Sequence, residues 1–234
     1  MWRLFKGGAT RRIAWHGNNV DGPLWLLEFT AGDGAVTVYC GEQLLAGEAG
    51  NRVLRNPMHY PLDQLLLIYQ LTTRGQGIVH AAGLVAHGQC VIAAGRSGAG
   101  KSTLSRCWAE RHGMGAVLSD DRVIMGRAPG AGGTLEAYGS PWPGTLGAAL
   151  NERRPARALV FLVKAPENRL VPLASREAVE RLFPVASIPW FDAEYLTLAL
   201  RNAERWLAGL PVYEFRFTPD ADAVNALEGL SAMG

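Results

Sequence analysis

Two kinds of apolar pattern divide the chain. From Gly77 to Ala86, and again from Gln89 to Ala94, the residues are almost continuously apolar and rich in β-branched types. Runs of that kind predict strands. His87-Gly88 between them predicts a tight hairpin. Ala116–Ser119 and Ala158–Val163 are shorter runs of the same kind, and Val212–Thr218 alternates like a half-buried strand. Helical spacing covers Lys101–His112, Ser175–Phe183, Asp192–Ala208 and Asp222–Leu230; Asp192 serves as an N-cap and Gly209 as a stop. Residues 1–60 read as a β-rich lead-in. It holds two strands, Leu24–Phe29 and Ala35–Cys40, joined by a tight turn at Gly32-Asp33-Gly34. A helix opening at Pro61-Leu62-Asp63 and running to Thr73 closes it, and Gly75 ends that helix. Four glycines and a proline between Gly126 and Gly133 predict a mobile loop, and Gly139–Gly144 predicts a second turn-rich segment. No segment repeats. The pattern is that of an α/β protein with a small β-rich N-terminal extension.

Composition narrows the class. The chain has 234 residues, of which 48% are hydrophobic and 19% charged, enough to bury a sizeable core and too apolar for intrinsic disorder. Its longest apolar runs fall far short of the ~20 residues a membrane span needs. The N-terminal residues show no signal-peptide apolar segment. A net charge of +2 points to neither nucleic acid nor a membrane surface as partner. Cys40, Cys90 and Cys107 are an odd, widely spaced set, which argues against a disulfide framework and fits a reducing, cytoplasmic setting. Of the 23 basic residues only Lys6, Lys101 and Lys164 are lysine, so each lysine position is informative.

One of the three falls in a chemical motif. Gly95-Arg96-Ser97-Gly98-Ala99-Gly100-Lys101-Ser102 matches the phosphate-binding pattern G-x-x-x-x-G-K-[ST], with Thr103 directly behind it. Glycines let the backbone turn its N–H groups onto phosphate oxygens, and the helix that follows adds the positive end of its dipole. In such a loop the lysine reaches the β- and γ-phosphates and the serine hydroxyl binds Mg²⁺. Asp120-Asp121 ends the next buried strand, where α/β sheets collect their ligands. Two carboxylates there could divide metal binding and proton acceptance between them. Taken alone, His80 in its apolar strand reads as a core histidine, and Glu136 as a surface acid.

Together these segments resemble the catalytic domain of HPr serine kinase/phosphorylase. The resemblance rests on Ile78-Val79-His80-Ala81-Ala82-Gly83-Leu84-Val85, the loop Gly95–Ser102, and Ser119-Asp120-Asp121-Arg122-Val123. Leu135-Glu136-Ala137-Tyr138-Gly139 partly matches the family's Leu-Glu-x-Arg-Gly signature, with Tyr138 in place of arginine. It covers about residues 75–145. ATP-dependent phosphoenolpyruvate carboxykinase shares the loop style over Ser97–Ser105, but is a much longer protein.

The resemblance implies a P-loop kinase core over 75–234 behind an extension over 1–74, using ATP and Mg²⁺. His80, Lys101, Asp120 and Asp121 would be catalytic, and Ser102, Asp120 and Glu136 would hold the metal, directly or through water. Asp121 would take the proton of an acceptor hydroxyl with help from His80; the division of roles within the aspartate pair stays open. No Pro-Gly-Arg-Asn segment follows, so the reverse, phosphorolytic reaction and recognition of HPr are not implied. The chain is closer to shorter HPr-kinase-like proteins, some of them from peptide-maturation gene clusters, and the acceptor expected is a serine in a protein or peptide. A small-molecule hydroxyl kinase and a nucleotide-gated peptide-binding module stand as alternatives, and the oligomeric state, homo-oligomer included, is open.

Overall fold

A computed structural model describes residues 2–17, 21–30, 34–48, 50–128, 133–218 and 220–232. The chain divides into two units, Met1–Thr73 and Arg74–Gly234.

The first unit is built on a four-stranded antiparallel meander: β1 (Trp2–Gly7), β2 (Thr10–Trp15), β3 (Trp25–Thr30) and β4 (Val36–Cys40). Alternate residues of β3, Trp25, Leu27 and Phe29, are buried while their neighbours are half-exposed, the period-2 signature of a sheet covered on one face. The cover includes α1 (Leu62–Thr73), whose Tyr69 ring lies 4.8 Å from that of Phe29. A short ribbon, β5 (Leu45–Ala46) with β6 (Val53–Leu54), completes this unit. The expected turn at Gly32-Asp33-Gly34 falls largely outside the described residues, but the strands it joins pair in antiparallel register, Phe29 opposite Val36.

The second unit is a mixed α/β body around a nine-stranded sheet. Its elements, in order, are β7 (Gln76–Ala86), β8 (Gln89–Ala94), α2 (Lys101–His112), β9 (Val117–Ser119), β10 (Arg122–Arg127), β11 (Leu135–Tyr138) and β12 (Arg153–Lys164). Then come β13 (Arg169–Pro172), α3 (Ser175–Leu182), β14 (Ala186–Ser187), α4 (Ala193–Leu207), β15 (Val212–Phe217) and α5 (Ala221–Ala232). The strand order is β11-β10-β7-β8-β12-β15-β13, and β9 and β14 also pair with β7.

Two long strands shape this sheet by changing partners midway. β7 pairs with β10 over Gln76–His80 and with β8 over Ala81–Ala86. β12 pairs with β11 over Arg153–Pro155 and with β8 from Ala156 onward. Because β11 also pairs with β10, five strands close into a ring.

Both faces of the central strands are buried, which is why their sequences read as continuous apolar runs. On β8 and β12, Cys90, Ile92, Leu159 and Phe161 face one core with Leu182 of α3 and Trp206 of α4. Val91, Ala93, Val160 and Leu162 face the other, with Leu104 and Trp108 of α2 and Leu227 of α5. At the β7–β8 turn, His87 and Gly88 both have positive φ (50° and 75°), the geometry a two-residue hairpin needs.

Two expectations need correction. Gly126 and Arg127 belong to β10, not to a loop; a Cβ on Gly126 would lie 2.5 Å from Gln76 Cγ, so the absent side chain permits close approach of strands. Of the expected mobile loop, residues 129–132 lie outside the described residues. β12 starts at Arg153, five residues before the apolar run, because its first part is held by pairing with β11 and not by burial.

Candidate functional site

β8 runs parallel to β12, and β12 parallel to β15. β9 and β8 are both antiparallel to β7, so β9 points the same way. The carboxyl ends of all four strands therefore gather at one edge, where open α/β sheets bind ligands. A cavity of about 450 Å³ opens there, within the range of small-molecule sites. Its walls include Gly98, Lys101 and Ser102 after β8, Asp121 after β9, Lys164 at the end of β12 and Phe217 at the end of β15. His80 and Thr145 complete the side where Asp121 lies.

The glycine-rich loop leaves β8 at Gly95, whose N–H donates to His80 O at 3.2 Å. Ala99 N–H closes a turn on Arg96 O at 3.1 Å, and α2 begins at Lys101. Gly98 and Gly100 have φ of +80° and +107°, values that L-residues with side chains adopt at a cost. Arg96, Ser97 and Thr103 are exposed, Ala99 and Ser102 half-buried, and Lys101 is buried. The ammonium of Lys101 folds back over the loop, donating to Gly95 O at 2.8 Å and Arg96 O at 3.3 Å. Burial lowers its pKa, an effect the nearby Asp121 carboxylate opposes. The first three residues of α2, Lys101, Ser102 and Thr103, line the same opening, and the N–H groups of a helix's first turn have no intrahelical acceptor.

His80 and Asp121 meet because β9 and β10 form one run beside β7, interrupted at the aspartates. Ser119 pairs with Gly83 and Arg122 with His80, while Asp121 O accepts the N–H of Ala81 at 3.0 Å. His80 Nε2 lies 3.0 Å from Asp121 Oδ1, and Arg122 Nη1 donates to Asp121 Oδ2 at 2.7 Å. The His80 pKa is lowered, first by burial and then by the Lys101 charge, with Asp121 acting in the opposite sense. The imidazole is therefore neutral at pH 7, and its contact with Asp121 is a hydrogen bond in which Nε2–H donates. Asp121 thus sits between a neutral donor and a guanidinium. Arg122 also lies against the Trp142 ring, 5.9 Å from its centroid, so the expected turn-rich segment Gly139–Gly144 packs beside the aspartates.

The remaining expected residues are placed elsewhere. Asp120 is 1% exposed and does not line the cavity; its oxygens accept the N–H groups of Gly144 and Leu146 at 2.8 and 2.5 Å. Glu136 pairs with Gly126 on β10, four rows along the ladder from the His80–Arg122 row. At ~3.3 Å per residue it stands roughly 13 Å from His80 along the strand direction. There its carboxylate accepts from Tyr138 Oη at 2.8 Å and Arg153 at 3.2 Å. Tyr138, at the family signature's arginine position, thus partners the glutamate and not the cavity.

Among the described residues no three His, Cys, Asp or Glu side chains cluster to bind a metal on their own. The cavity walls carry the hydroxyl residues Ser97, Ser102, Thr103 and Thr145 and the Asp121 carboxylate; of the residues expected to hold the metal, Ser102 is the one among them. Such hard oxygens suit Mg²⁺, which keeps several waters and takes most of its other ligands from substrate phosphates.

Sequence reasoning gave no role to Arg122, Thr145 or Lys164. Arg122 was within reach of it, adjacent to the aspartate pair, and the scarcity of lysine marked Lys164. Nothing local marked Thr145, which arrives through a long connection between β11 and β12.

No protein-family model matches the chain, and no curated protein matches it. Among solved structures, the chain is similar to the Hpr(Ser) kinase/phosphatase from Coxiella burnetii, at 16% identity over 67% of this chain and 99% of that one. The TM-score is 0.35, and a likeness at that level carries no argument here.

Proposed function

We propose that the chain is an ATP- and Mg²⁺-dependent kinase with a P-loop core of the HPr kinase type, acting on a hydroxyl, specifically a serine in a protein or peptide. The observation that carries this reading is the shared cavity: the glycine-rich loop with Lys101 forms one wall and the Asp121–His80 pair another. The motif resemblance supplies the nucleotide and the serine. A cytoplasmic setting is part of the proposal, supported by three free cysteines and by the absence, among the described residues, of a helix long and apolar enough to cross a membrane.

The loop amides and the start of α2 bind the β- and γ-phosphates, and Lys101 swings from the Gly95 and Arg96 carbonyls onto them. Mg²⁺, when bound, neutralises charge on the phosphate oxygens, and Ser102 is the residue that would hold it. The acceptor hydroxyl oxygen forms a bond to the γ-phosphorus as the bond from that phosphorus to the β–γ bridging oxygen breaks; ADP leaves. Asp121 takes the hydroxyl proton on Oδ1 or Oδ2. His80, as a neutral donor, fixes the carboxylate's orientation without neutralising it, while Lys101 stabilises the charge that develops on the transferred group.

The test is a library of serine-containing peptides incubated with labelled ATP and Mg²⁺. Wild type should label a subset. Asp121→Asn should lower transfer by about 10²-fold or more, the scale of a lost general base, while ATP affinity stays nearly constant. An equal loss of ATP affinity would make Asp121 a metal ligand first. ATP binding with no labelled peptide would favour the nucleotide-gated binding module.

A further inference from the structure

Asp120 cannot do what its neighbour does, because its carboxylate faces away from the cavity. The chain bends at Asp120 and Asp121; Asp121 lines the cavity, while Asp120 is 1% exposed and turned into the protein. There it meets the segment between β11 and β12. Gly144–Gly147 forms a turn closed by Gly147 N–H donating to Gly144 O at 3.2 Å. Asp120 Oδ1 accepts Gly144 N–H at 2.8 Å, and Oδ2 accepts Leu146 N–H at 2.5 Å. Downstream the segment is stitched to β9, with Leu150 N–H donating to Leu118 O at 3.0 Å and Ala149 bridging Ser119.

Gly144 makes the clamp close. A Cβ there would lie 2.7 Å from Asp120 Oδ2 and 2.9 Å from Asp121 Cβ, so the turn's backbone rests on both aspartates. Thr145, between the two clamped amides, lines the cavity together with Asp121 and His80. A carboxylate that is 1% exposed and holds two N–H groups has this turn as its main polar partner.

We propose that Asp120 is a positioning residue that clamps the Gly144–Leu146 turn, so that Thr145 forms the acceptor-side wall beside Asp121 and its hydroxyl contacts the incoming acceptor segment. This rests on the kinase reading above for what the wall contacts, but not for the clamp itself. It replaces the expected metal role of Asp120. One aspartate of the pair works in the cavity, and the other sets the shape of the wall beside it.

The experiment compares Asp120→Asn, Thr145→Val and Thr145→Ser, using MgATP binding by calorimetry and steady-state kinetics on a peptide the wild type labels. Asn keeps the shape but turns one N–H₂ toward a clamped N–H. Asp120→Asn should leave the MgATP Kd within about threefold and raise the acceptor KM by about tenfold with kcat little changed, the pattern of lost substrate positioning. Thr145→Val should raise the same KM, and Thr145→Ser should restore it. A fall in kcat at constant KM would make Asp120 catalytic and overturn the proposal, as would a shift in the Mg²⁺ dependence of ATP binding. Unchanged acceptor KM in Thr145→Val would overturn it even if Asp120→Asn failed to fold.

Amide hydrogen exchange at Gly144 and Leu146 reads the clamp without any activity. Both amides should be protected in wild type and should exchange at least about tenfold faster in Asp120→Asn. If no peptide were labelled the kinase reading would fail. The clamp would still be decided by these two amides, and equal protection in both proteins would refute it.

Discussion

The shape of the glycine-rich loop can be tested through one contact that has nothing to do with phosphate. Gly100, the residue before α2, combines a φ of +107° with a close neighbour: a Cβ there would lie 2.7 Å from Phe217 Cζ. Phe217 is 1% exposed and stacks on Phe215 at 5.3 Å, so moving its ring to make room breaks that packing. Gly98, two residues earlier, has a similar backbone demand with φ of +80°, but nothing lies within 4 Å of where its Cβ would be.

Alanine at Gly98 should therefore cost only the left-handed backbone, about 1–2 kcal/mol. Alanine at Gly100 should cost that and the overpacking of a filled core, a further 1–3 kcal/mol or so. For a domain of this size a difference of about 2 kcal/mol lowers Tm by roughly 4–8 °C. Calorimetry on the two variants should show Gly100→Ala melting below Gly98→Ala by that margin. The steric part should be recovered in the double variant with Phe217→Leu, as a coupling of about 0.5–3 kcal/mol between touching residues. Equal melting temperatures, or strictly additive effects of Gly100→Ala and Phe217→Leu, would refute the claim that Phe217 fixes the loop's entry into α2.

Two further outcomes are expected. Lys101→Ala should reduce phosphoryl transfer by about 10²-fold or more, because it removes the one buried cation aimed at the loop, and wild-type turnover in that variant would undo the loop's assignment. His80, whose pKa is lowered by burial and by Lys101, should titrate below 6.5 when followed by NMR. With its folded value below its unfolded one, the unfolded chain binds the proton first as pH falls, so stability should decline from pH 6.5 down to the folded pKa and be unaffected by this group above 6.5. A His80 midpoint at or above 6.5 would mean the imidazole is an ion-pair partner of Asp121 and not a neutral donor.

Much of the second unit is legible because its strands are buried twice over. A strand covered on both faces must be apolar at nearly every position, so Gly77–Ala86, Gln89–Ala94 and Ala158–Val163 stand out without any knowledge of their partners. The glycine-rich loop and α2 are legible for a different reason: their geometry is local, set by positive φ at Gly98 and Gly100 and by the helix that starts at Lys101. The start of β12 is not legible. Arg153-Arg154-Pro155 carries no apolar pattern and becomes strand only because Leu135–Tyr138 comes to lie beside it. Partners far apart in sequence leave no local periodicity to read.

The same distinction decides what was visible of the site. Residue types and their spacing put Lys101, Ser102 and Asp121 on the candidate list and the family resemblance added His80; all four line one cavity. Register removed Glu136. A strand's sequence says which residues share a face, but only its pairing says which row each occupies. Glu136 falls on the Gly126 row when the cavity is at the Arg122 row. Adjacency in sequence suggests a shared function for Asp120 and Asp121, but the structure separates their surroundings: Asp120 is buried and bonded to the Gly144–Leu146 turn, and Asp121 lines the cavity. Here the chain bends at both aspartates before the ladder resumes at Arg122, and the pair is divided between the cavity and the turn that walls it.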